Sequence, residues 1–137
     1  MLAARDRAIS ERRNIQLSFV SPNRIQLIRQ EVNSAGVTTG TTTVSDTYLE
    51  NGEVFVKFTG IPDTPDAFGN TSAVTFGGTA PFMFTSDGTL IDSNGDPING
   101  TVLLGTPNLP DTQRAVTIFG VSGLTRAWKW RGGQWVK

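Results

Sequence analysis

The chain has 137 residues, with twelve Lys and Arg against twelve Asp and Glu, and it contains no His and no Cys. Without imidazole or thiol there is no Ser-His-Asp or Cys-His nucleophile pair, no zinc finger and no disulfide framework. Acid-base chemistry near neutral pH would fall to carboxylates, three lysines or one tyrosine. These counts disfavour an enzyme, call for no cofactor or small-molecule substrate, and suit one domain with one core.

The neutral total hides a segregation along the chain. Residues 1–30 carry six arginines against Asp6 and Glu11, net +4; residues 31–111 carry ten acids against Lys57 alone, net −9; residues 112–137 carry five bases and no acid, net +5. Such ends either serve head-to-tail contacts between copies or lie beside the acidic middle within one fold. No run reaches the roughly 18 apolar residues of a membrane helix, and no signal peptide shows at the N-terminus.

Residues 1–14 (MLAARDRAISERRN) are helical by propensity, rich in Ala, Leu, Arg and Glu without Gly or Pro. At about 100° per residue only Leu2 and Ile9 come together, with alanines beside them, so the apolar stripe is thin. The helix starts at Met1 without a capping residue. The reading we favour is a cut end, the last turns of a longer helix; the alternative is a short surface helix packed on the domain.

From Ile15 the period falls from about 3.6 to about 2. Ile15, Leu17 and Phe19, the Ser21-Pro22-Asn23 turn, and Ile25 and Leu27 make a β-hairpin. Residues 33–47, rich in Thr, Gly and Ser, read as a long loop or an edge hairpin. Val54, Val56 and Phe58 share one strand face. A proline-bearing loop, residues 60–72, precedes short apolar segments near residues 74–76, 82–84, 90–91 and 102–104. Asp87-Gly88, Asn94-Gly95 and Asn99-Gly100, hairpin-type dipeptides, separate the last of these. Strands around residues 115–119 and 124–131 follow, and Gly132-Gly133 turns residues 134–137 back. The expected class is α+β, a helical segment at 1–14 on a β-rich head at 15–137 whose short antiparallel strands form a two-sheet sandwich, with no βαβ unit.

Chemistry-bearing patterns are sparse. Asp92, Asn94 and Asp96 begin like a calcium loop, but Pro97 stands where that loop needs Gly and Leu103 where it needs Glu, so a turn is expected. Asp63 with Asp66, and Glu50 with Glu53, pair carboxylates in sequence; exposed turn acids are the simpler reading. Around Trp128 and Trp130, basic residues interleave with aromatics as on a single-strand nucleic-acid platform. Alternation puts Arg126, Trp128 and Trp130 on one face and Lys129 and Arg131 on the other, so the tryptophans are expected to face the core and the cations solvent. Arg114, Arg126, Lys129, Arg131 and Lys137 remain candidates for an anionic partner or DNA.

Three segments together resemble the GspH/FimT family of type IV pilin-like proteins. Ala4-Arg5-Asp6-Arg7-Ala8-Ile9 is similar to its helix segment A-R-x-x-A-I, Phe84-Thr85-Ser86-Asp87-Gly88 to its F-x-x-x-G, and the run from Arg114 to Arg126 to its closing R-x-V-x-V…G-R-x-R. The resemblance spans nearly the whole chain. It implies a minor pilin or pseudopilin with a pilin-like fold: an upstream hydrophobic helix anchors the subunit in the bacterial inner membrane with the head in the periplasm. After prepilin peptidase cleavage that helix packs into a type IV pilus or type II secretion pseudopilus, near its tip, among other pilins. Leu2, Arg5 and Ile9 are then helix-packing positions. Some relatives bind DNA through the G-R-x-R tail; here Gly123-Leu124-Thr125-Arg126 has Leu124 in place of the first Arg.

Overall fold

A computed structural model describes the backbone of residues 2–137, with side chains from Ala3 onward; Leu2, expected to pack the helix, has its side chain outside the described residues. Helix α1 spans Leu2–Glu11, shorter than expected. It stops because Arg12 is left-handed, with φ 53°, and the Arg13 N–H reaches back to the Ala8 carbonyl at 3.2 Å. Glycine usually takes that terminating position, so an arginine there gives no warning in the sequence.

The remaining regular structure is antiparallel strand, apart from one turn of 3-10 helix at Pro110–Thr112. The first sheet has the order β3-β2-β1-β6-β7, from β1 (Ile15–Val20), β2 (Arg24–Val32), β3 (Thr38–Tyr48), β6 (Phe82–Phe84) and β7 (Leu90–Ile91). The second has the order β11-β10-β9-β8-β4, from β4 (Val54–Phe55), β8 (Gly100–Gly105), β9 (Arg114–Ile118), β10 (Thr125–Arg131) and β11 (Gln134–Val136). Strand β5 (Val74–Phe76) shares with β4 one edge of β8.

The expected hairpin at residues 15–27 forms with Leu17 opposite Leu27 and Phe19 opposite Ile25. Of the two readings for residues 33–47, the edge hairpin is the one that forms. The Asn33 side-chain oxygen accepts from the Ala35 and Val37 N–H groups at 2.9 and 3.0 Å, and β3 leaves that turn as an almost wholly exposed edge strand.

One core lies between the sheets, where Ile15, Leu17, Leu27, Phe84 and Leu90 meet Ile98 and Ile118. Removing each large side chain from water is worth roughly 1.5–3 kcal/mol. The helix joins this core through Ala4 and Ala8, both fully buried, whose small side chains let its backbone approach closely. Ile9 instead is 41% exposed, so among the described residues the buried stripe of the helix is Ala4 and Ala8, without the expected Ile9. A second cluster, Leu103, Ala115 and Trp128 with Trp135, lies on the outer face of the second sheet, beneath the segment 56–72.

Part of the charge segregation closes inside the fold. Arg24 meets Asp46 at 3.5 Å, Arg126 meets Asp66 at 2.7 Å, and Arg29 contacts both Glu31 and, at 2.6 Å, Glu11. Basic ends thus lie against acidic middle within one copy, and the charge pattern alone does not demand a neighbour.

Candidate functional site

Arg5, one turn into α1, lies across two backbone positions that hold glycine. A β-carbon on Gly88 would stand 3.0 Å from Ile9 Cδ1 and 3.2 Å from Arg5 Nε; one on Gly123 would overlap the Gly88 carbonyl oxygen and stand 2.7 Å from Arg5 Cδ and Nε. Both glycines are buried and left-handed, with φ 89° and 70°. The loops carrying them are tied together by Leu90 N–H donating to Gly120 O at 2.8 Å and Thr89 Oγ1 to Val121 O at 3.2 Å, and Gly123 N–H closes its own loop on Phe119 O at 2.7 Å.

Arg5 Nε is buried there without a hydrogen-bond partner, and Nη1 is 3.8 Å from the Asp6 carboxylate. Ile9 on the helix and Val121 and Leu124 on the Gly123 loop stay exposed beside it. The resemblance implies Arg5 and Ile9 as positions where the helix packs in the assembly; here both side chains lie in this contact, against the glycine loops of the same chain. Gly88 and Gly123 complete it through backbone conformation, which no side-chain pattern announces.

The five candidate cations do not form one patch. Lys129 stands directly opposite Arg114 on β9, and Arg131 follows two residues on, hence on the same face. All three are exposed, and among the described residues none has a carboxylate within ion-pair distance.

Arg126 points to the other face. Its guanidinium binds Asp66 at 2.7 Å and lies 4.8 Å over the Phe119 ring, which Phe68 meets edge-on. Asp66 also accepts from Thr117 Oγ1 at 2.6 Å, and Thr117 accepts from Trp128 Nε1 at 3.2 Å. Lys137 Nζ sits 5.3 Å over the Trp128 ring. Arg126 and Lys137 are therefore engaged within the head, whereas Arg114, Lys129 and Arg131 are open to an anion.

Trp128 is buried as expected, but on the outer face of its sheet and not in the core between sheets. Trp130 is half-buried and meets Trp135 edge-on at 5.4 Å, and Trp135 Nε1 donates to Pro62 O at 2.9 Å. The segment 56–72 folds over this face and supplies the burial that alternation alone assigns to the sheet interior. Trp128 is buried, and Trp130 and Trp135 are half-buried against each other, so the three rings do not form an exposed stacking row.

The loop acids differ from the exposed turn acids that were expected. The Asp66 side chain is only 7% exposed, and Asp63 accepts from the Thr64 and Gly69 N–H groups at 2.8 Å each. Asp92 is buried and accepts from the Asn94 and Asp96 N–H groups at 3.0 and 3.1 Å, forming the expected turn.

Gln113, which no sequence pattern singles out, is buried before β9. Its amide donates to Val56 O and Leu104 O at 3.0 and 2.8 Å and accepts from the Phe58 N–H at 3.0 Å. It pins the start of the covering segment to the sheet. Near the helix end, hydrogen bonding to Arg29 holds the Glu31 carboxyl below its ordinary range, and the same contact raises the Arg29 guanidinium. Compared with models of known families, with curated proteins and with solved structures, the chain matches none.

Proposed function

We propose that the chain is a non-enzymatic assembly subunit, a minor pilin or pseudopilin of the GspH/FimT type. It enters a type IV pilus or type II secretion pseudopilus near the tip. The supporting observation is the Arg5–Gly88–Gly123 contact, because each residue belongs to a different one of the three segments that carry the resemblance. Segments far apart in sequence meet at the join between helix and head, where a pilin must hold its head at a set angle to the shaft. In this role α1 continues N-terminally into the membrane-anchored helix, and Ile9 with the arginines beside it faces neighbouring subunits.

The test is the natural coding sequence upstream of Leu2. A prepilin leader followed by roughly 20 apolar residues is expected; an upstream sequence with neither overturns the reading.

A second reading, a DNA-binding minor pilin for uptake, is favoured by one observation: Arg114, Lys129 and Arg131 share a face and, among the described residues, have no carboxylate within ion-pair distance. It predicts a low-salt mobility shift that an Arg114, Lys129, Arg131 triple Ala variant loses and Arg126→Ala keeps. Absence of any shift by the wild type at low salt removes it.

A further inference from the structure

Beside β1 the first sheet is incomplete. Strand β6 pairs with β1 only over Ile15–Leu17, so Ser18–Val20 has β2 on one side and no strand on the other. Across the gap, β4 and β5 each pair with β8 and turn their outer edges to no strand. One hydrogen bond, from Phe55 N–H to Pro22 O at 2.8 Å, crosses from one sheet to the other here.

The gap is a groove of about 620 Å³, and its lining contains no Lys, Arg, Asp or Glu. Four consecutive residues of β1, Gln16 to Phe19, line it. Their side chains alternate between the two sheet faces, so the groove looks onto the edge of the strand. Phe19 gathers Phe55 and Phe76 beneath it, with ring centroids 5.7 and 5.6 Å away. An open strand edge above phenylalanines asks for an extended segment that supplies main-chain donors and acceptors and small apolar or hydroxyl side chains. A charged segment would be desolvated there with no partner.

The chain carries such a segment. Beyond the end of β1, the β2–β3 hairpin continues as a two-stranded arm in which Glu31 and Val32 pair with Gly40 and Thr38. Residues 37–44 (VTTGTTTV) bear no charge, are exposed except for Val44, and present an outer edge with no partner. Register shifts bulge this strand at Thr39 and Val44, but the regular run between them, Gly40–Thr43, is an uncharged edge without Lys or Pro and is open to strand addition.

We infer that residues 37–44 of one copy add as a strand to the β1 edge in the groove of a second copy. The three open residues Ser18–Val20 span about 10 Å of extended chain, enough for a short ladder on which the arm can register. Groove and arm are different surfaces, so the contact is heterologous: each copy offers both, and copies join into an open chain instead of closing as a dimer. The contact rests on the groove and the arm, goes beyond the assembly role, and holds or fails whatever lies upstream of Leu2.

The protein has no cysteine, so engineered thiols report without background. Ser18→Cys and Thr41→Cys are mixed under mild oxidation, with Asn94→Cys paired with each as the control. A disulfide-linked Ser18–Thr41 pair forming at least several-fold faster than either control, and a ladder of oligomers from the double variant, is the expected result. Rates equal to the controls, or Thr41→Cys linking only to itself, overturn the inference. Independently of any variant, a peptide of residues 36–45 titrated into the wild type should shift amide resonances at Ser18–Val20 and Ser72–Val74. A Thr41→Lys peptide should not, and equal shifts with both peptides, or none with either, count against the pairing.

Discussion

Arg5 and Gly123 meet so closely that a β-carbon at residue 123 would stand 2.7 Å from both Cδ and Nε of the arginine. The residue is also left-handed, with φ 70°, so alanine there is strained by its backbone as well as by the contact. Gly123→Ala is expected to cost about 2–4 kcal/mol from the two effects together. Because Arg5 is one of the groups displaced, Arg5→Ala should recover part of that loss. A double-mutant cycle on urea midpoints measures it, and additivity within about 0.5 kcal/mol would mean the two residues do not share the contact.

Asp66 joins the covering segment to β9 and β10 through Thr117 and Arg126. Asp66→Ala leaves Arg126 without its partner and Thr117 without its acceptor. Since the Arg126 side chain is 43% exposed, water screens it and the expected loss is moderate, about 1–3 kcal/mol. A shift of tryptophan emission should accompany the loss, because Trp128 donates to the same hydroxyl. An unchanged thermal midpoint and spectrum would contradict the network.

Gln113→Leu keeps the volume but deprives Val56 O, Leu104 O and the Phe58 N–H of their partners. Each buried polar group so orphaned costs about 1–3 kcal/mol, and segment 56–58 should open first. Hydrogen exchange at Phe58 reads this directly. Slow exchange retained there in the variant would show that the segment is held by something else.

Glu31 sets an acid limb on stability. Its carboxyl is held below the ordinary 4.5, chiefly by hydrogen bonding from Arg29. A lowered folded-state value means the contribution is fully present above pH 4.5 and fades as pH falls through the lower folded value. Arg29, raised further by the same contact, stays charged through the acid range and adds no slope there. Glu31→Gln should therefore lower stability at neutral pH and flatten the fall below pH 4.5, so that variant and wild type converge in acid; an identical acid limb in the variant would exclude the group.

How much of this was legible depended on whether a signal lay in side-chain alternation or in what later packs against it. The β1–β2 hairpin and β8 to β11 follow from period-2 patterning with turn dipeptides. Strand β3 carries no such signal, because a Thr-rich edge exposed on both faces has nothing to alternate. The partition of β10 into an Arg126, Trp128, Trp130 face and a Lys129, Arg131 face came from period alone. Which face meets the inter-sheet core did not, because segment 56–72 makes the outer face a second buried one. The Arg5 cradle was half visible: its side chain stood in a motif, while its glycines act through positive φ and missing atoms.

The distribution of aromatic residues divides the molecule optically. All three tryptophans belong to β10 and β11 in one sheet, whereas the single tyrosine, Tyr48, ends β3 at the far edge of the other. Indole emission thus follows the second sheet and its cover, while phenol emission follows the edge of the first sheet where β3 pairs with the start of β2. Energy passed from Tyr48 to the indoles weakens if the sheets part. The unmodified chain can therefore report, at two excitation wavelengths, whether its halves come undone together or in turn.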